Sequence, residues 1–389
     1  MAVSTEMLTT YKESNMKTVK IGFVGCGAIS GIYFKNITGM FKEIEIAGIC
    51  DLIPERAQKA AEEYGISKIY ADMNELFADP QVDIVLNITR PYEHFEVTKA
   101  ALLAGKHVYS EKPLGASLEE GIELVRIAKE TGRLIGGAPD TFLGAGIQTC
   151  RKLIDDGMIG EPLGAAAYLV GRGHESWHPD PEFYYKYGGG PMMDMGPYYL
   201  TAMVSLLGGV SAVTGMSKIS FSQRRITSQP HYGEIVDVDV PTYVTGIMQF
   251  DSGAIGTIFT TFDVYKAQTP YIEIYGSKGT LSVPNPNIFG GPVKLFRGKA
   301  RGEENAFMEI PLLFPYESNS RALGLADMAK AITTGRPFRA SSDLTLHILE
   351  IMCGFVTASE KRTFVQINSK LNNRPEMMRD DNLLGVLED

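Results

Sequence analysis

Short apolar runs alternate with helical spacings along the first third of the chain. Ile21, Phe23 and Val24 form an apolar run that ends at Gly25-Cys26-Gly27-Ala28-Ile29-Ser30, after which Ile29, Ile32 and Tyr33 recur at helical spacing. The pattern predicts a strand, a tight turn and a helix. A second run, Ile44 to Cys50, ends at Asp51 and precedes a helical segment from Pro54 to Tyr64, an extended stretch from Ile66 to Tyr70 and a short helix over Met73 to Phe77. Val82 to Ile88 is nearly continuous in apolar residues, as a parallel strand covered on both faces should be. A helix from Phe95 to Ala104, a strand from His107 to Tyr109, a helix from Leu118 to Thr131 and a strand from Leu134 to Gly137 complete the alternation. This is the signature of a doubly wound parallel sheet.

Beyond Ala138-Pro139-Asp140 the pattern changes. A helix over Ile147 to Gly157 leads to strands at Thr242 to Phe250, Ala254 to Phe262, Tyr271 to Tyr275 and Thr280 to Val283, with turns at Asp251-Ser252-Gly253 and Gly276-Ser277-Lys278-Gly279. Strands joined by such turns predict a mainly antiparallel sheet. Helices over Arg321 to Thr334 and Asp343 to Ser359 follow. On the last, Leu344, His347, Ile348, Ile351, Met352 and Phe355 share one stripe, which reads His347 as a core residue. The expected class is α/β: a flexible arm over residues 1–16, a Rossmann domain over 17–140, and an α+β substrate-binding and oligomerisation domain with a large open sheet over 141–389.

Composition narrows the function. A chain of 389 residues exceeds one ordinary core, which agrees with two domains. Its 37 basic and 46 acidic residues give a net charge of −9, so neither nucleic acid nor an anionic membrane is the expected partner. No run approaches the roughly 18 apolar residues of a membrane span, and the first residues lack the apolar core of a signal peptide. Cys26, Cys50, Cys150 and Cys353 form no C-x-x-C pair, as expected for a protein of the reducing cytoplasm.

The glycine-rich turn carries the first candidate chemistry. Gly25 permits the turn, Gly27 lets backbone approach a pyrophosphate, and Ala28, Ile29 and Ser30 present the start of a helix whose N–H groups and dipole favour that anion. Gly-rich turns are common, but here Asp51 follows at the end of the next strand, where a carboxylate accepts bonds from the adenosine ribose. Leu52 and Ile53 follow it instead of a basic residue, so NAD is the expected cofactor in preference to NADP. Thr89, Arg90 and His94 leave the carboxyl end of the third strand, where open α/β sheets bind ligands.

Glu111-Lys112-Pro113 stands at the next strand end. Gly25-Cys26-Gly27, Asp51 and Glu111-Lys112-Pro113, in this order and spacing, resemble the glucose–fructose oxidoreductase, inositol dehydrogenase and rhizopine-catabolism family (Gfo/Idh/MocA), and the resemblance extends over nearly all of the chain from about residue 17. It implies that Lys112 contacts both the nicotinamide ribose and the substrate hydroxyl, and that Pro113 is cis. It also implies a dimer or larger assembly.

In the second domain, Gly188-Gly189-Gly190-Pro191 suits a helix start, and Asp194 and Tyr198, four apart, share a face of that helix. Pro197 should kink it. The resemblance makes Asp194 and Tyr198 catalytic with Lys112, although a histidine is usual where Tyr198 stands. A phenol is a poor base unless a cation favours its anion, and Lys112 is the candidate cation. Either a Lys112–Tyr198 pair handles the proton, or Lys112 does so alone, with Asp194 polarising it.

Upstream, residues 171–187 contain the H-E-x-x-H of zinc proteases, but glycines and prolines flank it and forbid the helix that chemistry needs, so no metal is expected. The stretch reads instead as a substrate loop in which Arg172, His174 and His178 offer hydrogen bonds and Trp177 a flat face for a sugar or aglycone. The leading expectation is an NAD-dependent oxidoreductase acting on a secondary alcohol of a sugar or glycoside; the resemblance, through the family's glucoside 3-dehydrogenases and C-glycoside 3-oxidases, together with the aromatic loop, suggests the C3 hydroxyl. Two variants retain the cofactor, one recycling hydride between sugars and one cleaving glycosides by oxidation and elimination. A non-catalytic NAD- and sugar-binding regulator is the alternative of another class.

Overall fold

The computed structural model describes residues 18–298 and 306–388 apart from 372 and 383, so the arm expected over residues 1–16 lies outside the described residues. The first part alternates strand and helix: β1 (Val19–Val24), α1 (Ser30–Gly39), β2 (Ile44–Cys50), α2 (Pro54–Tyr64), α3 (Met73–Ala78), β3 (Ile84–Asn87), α4 (His94–Leu103), β4 (His107–Ser110), α5 (Leu118–Thr131) and β5 (Ile135–Gly137). Its strands form one parallel sheet in the order β2-β1-β3-β4-β5. The apolar run at Val82 to Ile88 yields a shorter strand than its pattern suggests. Val82 turns back to bond Asp79 O at 3.2 Å, closing the α3 turn before the strand begins. The stretch Ile66 to Tyr70 makes only an isolated bridge, Ile69 to Ile49.

The second part continues with α6 (Ala145–Asp155), β6 (Pro162–Val170), α7 (Gly190–Leu207), β7 (Val210–Lys218), β8 (Gln223–Arg225), β9 (Ile235–Asp237), β10 (Tyr243–Phe250) and β11 (Ile255–Thr261). It ends with β12 (Ile272–Gly276), β13 (Gly279–Val283), β14 (Val293–Arg297), β15 (Met308–Ile310), α8 (Leu323–Thr334), α9 (Ser342–Lys361) and β16 (Val365–Gln366). Nine strands pair in the order β15-β14-β13-β12-β6-β11-β10-β7-β16. Among the described residues of this sheet only β6 and β11 run parallel; the remaining pairs are antiparallel. The strict alternation of buried and exposed positions in β10 shows one face of the sheet covered and the other bare. The apolar helices α7 and α9 supply the cover, with Leu200, Val204, Ile351 and Phe355 fully buried.

The β8–β9 hairpin departs from this sheet and pairs only with itself. Ile226, Val236 and Val238 join Tyr185 and Phe262 in a small separate core. His347 is buried: its Nε2 accepts from Val210 N at 2.9 Å and its Nδ1 faces Ser369 Oγ at 2.9 Å, so it is a satisfied core group. Among the described residues no helix is long and apolar enough to cross a membrane. All four cysteines are free.

Candidate active site

The glycine turn lies at the carboxyl end of β1. Gly25 adopts φ +105°, and a Cβ there would stand 2.7 Å from Ile88 O, so the turn requires glycine twice over. At Gly27 a Cβ would meet nothing within 4 Å. The space beside it is open, α1 begins without a side-chain cap, and Ala28 and Ile29 are exposed. Those three observations fit a pyrophosphate seated on the helix start. Ser30 Oγ donates to Gly27 O at 2.7 Å and holds the turn. Asp51 sits beside it, accepting from Cys26 N at 2.6 Å and from Ile53 N at 2.8 Å. The same carboxylate therefore braces the turn from the end of the second strand. Arg56 lies near enough for its charge to act on the Cys26 thiol, a basic neighbour that the residues next to Asp51 in sequence do not disclose.

At the end of β3, buried Asn87 organises the next loop. Its Nδ2 donates to His94 O and Thr98 Oγ1, while its Oδ1 accepts from Thr89 N and Thr89 Oγ1. Arg90, expected at the cofactor, turns away: its guanidinium bonds Tyr92 OH at 2.8 Å and pairs with Asp180 on the 171–188 loop. His94, also expected at the cofactor, is buried with its ring nitrogens on Pro113 O at 2.7 Å and Thr89 O at 3.0 Å. It braces two loops instead of facing the cleft, and burial lowers its affinity for a second proton although both carbonyls favour one.

The Lys112–Pro113 peptide is cis. Glu111 is buried, accepting from Tyr33 OH of α1 at 2.7 Å, and Lys112 Nζ donates to both Asp194 O and Asp194 Oδ1 at 2.7 Å. The structure thus brings together residues 82 positions apart. Asp194 reaches this place because of the glycines at the start of α7. Gly188 and Gly190 have φ of +79° and +87°, and a Cβ at Gly189 would stand 2.6 Å from the carbonyl oxygens of Phe183 and Tyr184. The helix then runs through Pro197 to Leu207.

Electrostatics lock the pair as ions. Burial works against the Asp194 carboxylate, yet Lys112 and His174 outweigh it and hold its pKa well below the usual carboxylate range. Burial likewise opposes the Lys112 ammonium, but Asp194, Tyr198 and Glu111 raise its pKa above the ordinary lysine value. Tyr198 is buried with its ring centroid 5.4 Å from Lys112 Nζ. Burial and Glu111 push its pKa up against the pull of Lys112 and Arg321, and the net direction is upward. The phenol is therefore neutral in the free protein. On the far side of Asp194, His174 Nε2 approaches Oδ2 at 3.4 Å, and its ring stacks on Tyr184 at 3.6 Å and 6°. Among the described residues buried His174 Nδ1 has no hydrogen-bond partner, and Asp194 Oδ2 has only the long approach of His174 Nε2, as groups awaiting a ligand can be.

The 171–188 loop is propped from behind. Arg224 of β8 is buried, pairing with Glu175 at 2.9 Å and Asp263 at 2.7 Å, and Tyr185 OH also bonds Glu175. The Glu of the H-E-x-x-H pattern is thus a structural anchor, and the pattern forms one turn within a loop. Among the described residues no group of three or more His, Cys, Asp or Glu could hold a metal ion. Arg172, expected near substrate, lies over the Tyr265 ring at 4.5 Å and the Phe221 ring at 5.3 Å. Trp177 is 62% exposed, and His178 accepts from Asp180 N at 3.0 Å beside Tyr184. Tyr184, Arg321 and Asn287 were not singled out by sequence. Only Tyr184 carries a local sign, as one of the loop's aromatics.

A parallel sheet with an uncapped, glycine-gated helix start, an acidic residue at the second strand end and a buried lysine ammonium at the fourth defines an NAD-binding oxidoreductase. Residues 19–137 match the family described as "Oxidoreductase family, NAD-binding Rossmann fold", and residues 147–282 match the "GFO/IDH/MocA C-terminal domain". The chain belongs to the Gfo/Idh/MocA family.

Among its relatives, the inositol 2-dehydrogenase/D-chiro-inositol 3-dehydrogenase of Lactiplantibacillus plantarum is 33% identical over 147 residues, 37% of this chain and 42% of that protein. The NAD(+)-dependent scyllo-inositol 2-dehydrogenase of Bacillus subtilis is 29% identical over 68% of this chain and 73% of that protein. Levoglucosan dehydrogenase, solved with NADH and L-sorbose, superposes with a TM-score of 0.78 at 20% identity, covering 90% of this chain and 99% of that one. At that identity the likeness shows the fold.

Proposed function

We propose that this protein is an NAD-dependent dehydrogenase of sugars or related polyols, oxidising a secondary alcohol, with Lys112, Asp194 and Tyr198 as its catalytic residues. The relatives' activities on inositols support the alcohol class. The observation that carries the reading is the ammonium of Lys112 held by two bonds to Asp194. An ammonium has three donors. With two committed to Asp194, the third is left for the substrate oxygen, where a cation stabilises a developing alkoxide. NAD, when bound, supplies the hydride acceptor. Lys112 and Tyr198 share the hydroxyl proton, and because both interact strongly the proton's apparent pKa belongs to the pair.

Asp194 keeps Lys112 oriented and charged, and His174, stacked on Tyr184, closes the other side of Asp194. A charged lysine donates a proton readily and accepts one poorly, so ketone reduction is favoured near neutrality and alcohol oxidation rises with pH. The exposed Trp177 offers a flat face for a glycoside as substrate, and the C3 hydroxyl is the position the assay should examine first. Incubation with NAD+ and D-xylose, myo-inositol, levoglucosan and an aryl glucoside, each with and without a second sugar as acceptor, tests the reading through NADH absorbance. NADH formation with at least one alcohol is expected. Binding of NAD+ without turnover of any of them would point to a regulator.

A further inference from the structure

Arg321, in the segment before α8, is buried 123 positions away from Tyr198 in sequence. Its Nη2 donates to Asn287 Oδ1 at 2.7 Å and lies 3.5 Å from both Asn287 O and Tyr198 OH, while its Nη1 donates to Asn319 Oδ1 at 3.0 Å. Among the described residues no carboxylate pairs directly with this guanidinium, and Asp140 acts on it only through space. That is unusual, because a buried charge normally has a counter-ion.

Two features of the fold hold Arg321 in this place. Ala322, fully buried, adopts φ 84° and ψ 0°, a left-handed conformation that costs a residue with a Cβ about 1–3 kcal/mol. Asn36 of α1 donates to Asn319 O at 2.9 Å and to Arg321 O at 2.8 Å. The helix that begins at the glycine turn therefore anchors the strained turn that aims Arg321 at Tyr198.

We propose that Arg321 is a positioning residue that orients the Tyr198 hydroxyl and favours its anion during proton transfer. A guanidinium donates and never accepts. The phenol oxygen must therefore accept from Arg321, and its own hydrogen is left for another acceptor, which in the proposed reaction is the substrate oxygen. The groups facing Tyr198 are Lys112 and Glu111 from the loop after β4, Arg321, and the phenols of Tyr109 and Tyr184. Lys112 and Arg321 favour the anion, whereas burial and Glu111 oppose it. The 3.5 Å contact is long, as catalytic hydrogen bonds often are before substrate binds.

This inference rests on the dehydrogenase reading, and the test separates the two. Arg321→Gln and Arg321→Lys are made in the full chain, alone and with Tyr198→Phe, and kcat and kcat/KM are measured against pH with NAD+ and D-xylose, myo-inositol and levoglucosan. Removing a cation raises the pKa of a neighbouring acid, by about one pH unit or more for a charge this close. Arg321→Gln should lower kcat at least about tenfold and move the rising limb of kcat/KM to higher pH by that amount, while NADH affinity stays within a few-fold. Arg321→Lys should lie nearer the wild type. In the Tyr198→Phe background, Arg321→Gln should cost less than about twofold more, because residues that act through one another are non-additive.

Equal losses in both backgrounds, with the pH limb unmoved, would make Arg321 merely structural and overturn the inference. A harmless Tyr198→Phe would overturn it together with the place of Tyr198 in the relay, and leave the dehydrogenase reading standing on Lys112. No turnover of any of these three sugars or of the aryl glucoside by the wild type would overturn the dehydrogenase reading and the inference with it. Should Arg321→Gln fail to fold, Asn287→Ala, which frees Arg321 Nη2, supplies the same cycle with smaller effects in the same direction.

Discussion

Replacing Lys112 removes half of a buried ion pair and, in the proposed reaction, the group that handles the substrate proton, and the two losses can be separated. Lys112→Ala leaves the Asp194 carboxylate uncompensated beside His174, and breaking a buried pair in this way costs about 3–5 kcal/mol of stability. At about 2–4 °C per kcal/mol for a unit of this size, the melting temperature should fall by about 6–20 °C. Catalysis should fall by about 10²–10⁴, since positioned acid–base groups contribute that much, or about 3–5 kcal/mol of barrier. The double variant Lys112→Met/Asp194→Leu replaces the pair with apolar groups of similar shape, which is often neutral or stabilising. Its melting temperature should return close to the wild-type value while turnover stays lost, and NAD affinity should remain within a few-fold in both, because the glycine turn and Asp51 are untouched. Calorimetry, NADH-coupled kinetics and cofactor titration read the three quantities. Recovery of turnover in the double variant would refute the assignment of Lys112 and direct the search for the proton acceptor to His174 and His178.

The same pair should shape stability against pH. The lowered pKa of Asp194 gives a contribution that is present above the unfolded carboxyl value of about 4 and lost as pH falls, whereas the raised pKa of Lys112 gives one present below about 10 and lost at higher pH. Lys112→Met/Asp194→Leu should flatten both limbs of a denaturation series across pH. Asp140 behaves oppositely to Asp194: burial raises its pKa to about 6, so ionising it costs stability as pH rises through that value. Asp140→Asn should gain up to about 2–3 kcal/mol at pH 8 and nothing at pH 4, by urea melts. Asp51→Ala should weaken NAD binding about ten- to a hundredfold, from lost charge-assisted bonds worth roughly 1.5–3 kcal/mol, and tighter binding of NADP than NAD by the wild type would sink the cofactor preference. The bare face of the nine-stranded sheet exposes Ile247, Ile255 and Met216, so sedimentation at micromolar concentration should show a dimer or larger, and Ile247→Glu should weaken it.

How much of this site could be read from sequence depends on how each part is encoded. The glycine turn, Asp51 and Glu111-Lys112-Pro113 are local: each stands at a strand end, and strands followed by helices announce themselves through periodicity. The helix over Leu118 to Thr131 falls on its predicted residues for the same reason, with Ser117 as its cap and Gly132 past its end. The triple glycine at the start of α7 is also legible, because two positive φ values and a backbone contact leave no other residue. The partners of Arg90 and His94 are not legible, because a strand end says where the chain goes, not where a long side chain turns. Asp180 and Pro113 O, which claim them, come from distant segments.

Arg321 is the extreme case, since neither its neighbours nor its spacing mark it, and only the fold brings it to Tyr198. Where the family usually carries a histidine, this chain has a phenol that burial keeps neutral and that lies between two cations, Lys112 at its ring and Arg321 at its oxygen. A histidine needs no such help to exchange a proton near pH 7. A tyrosine does, and in the reading proposed above the guanidinium held by strained backbone at the phenol supplies it.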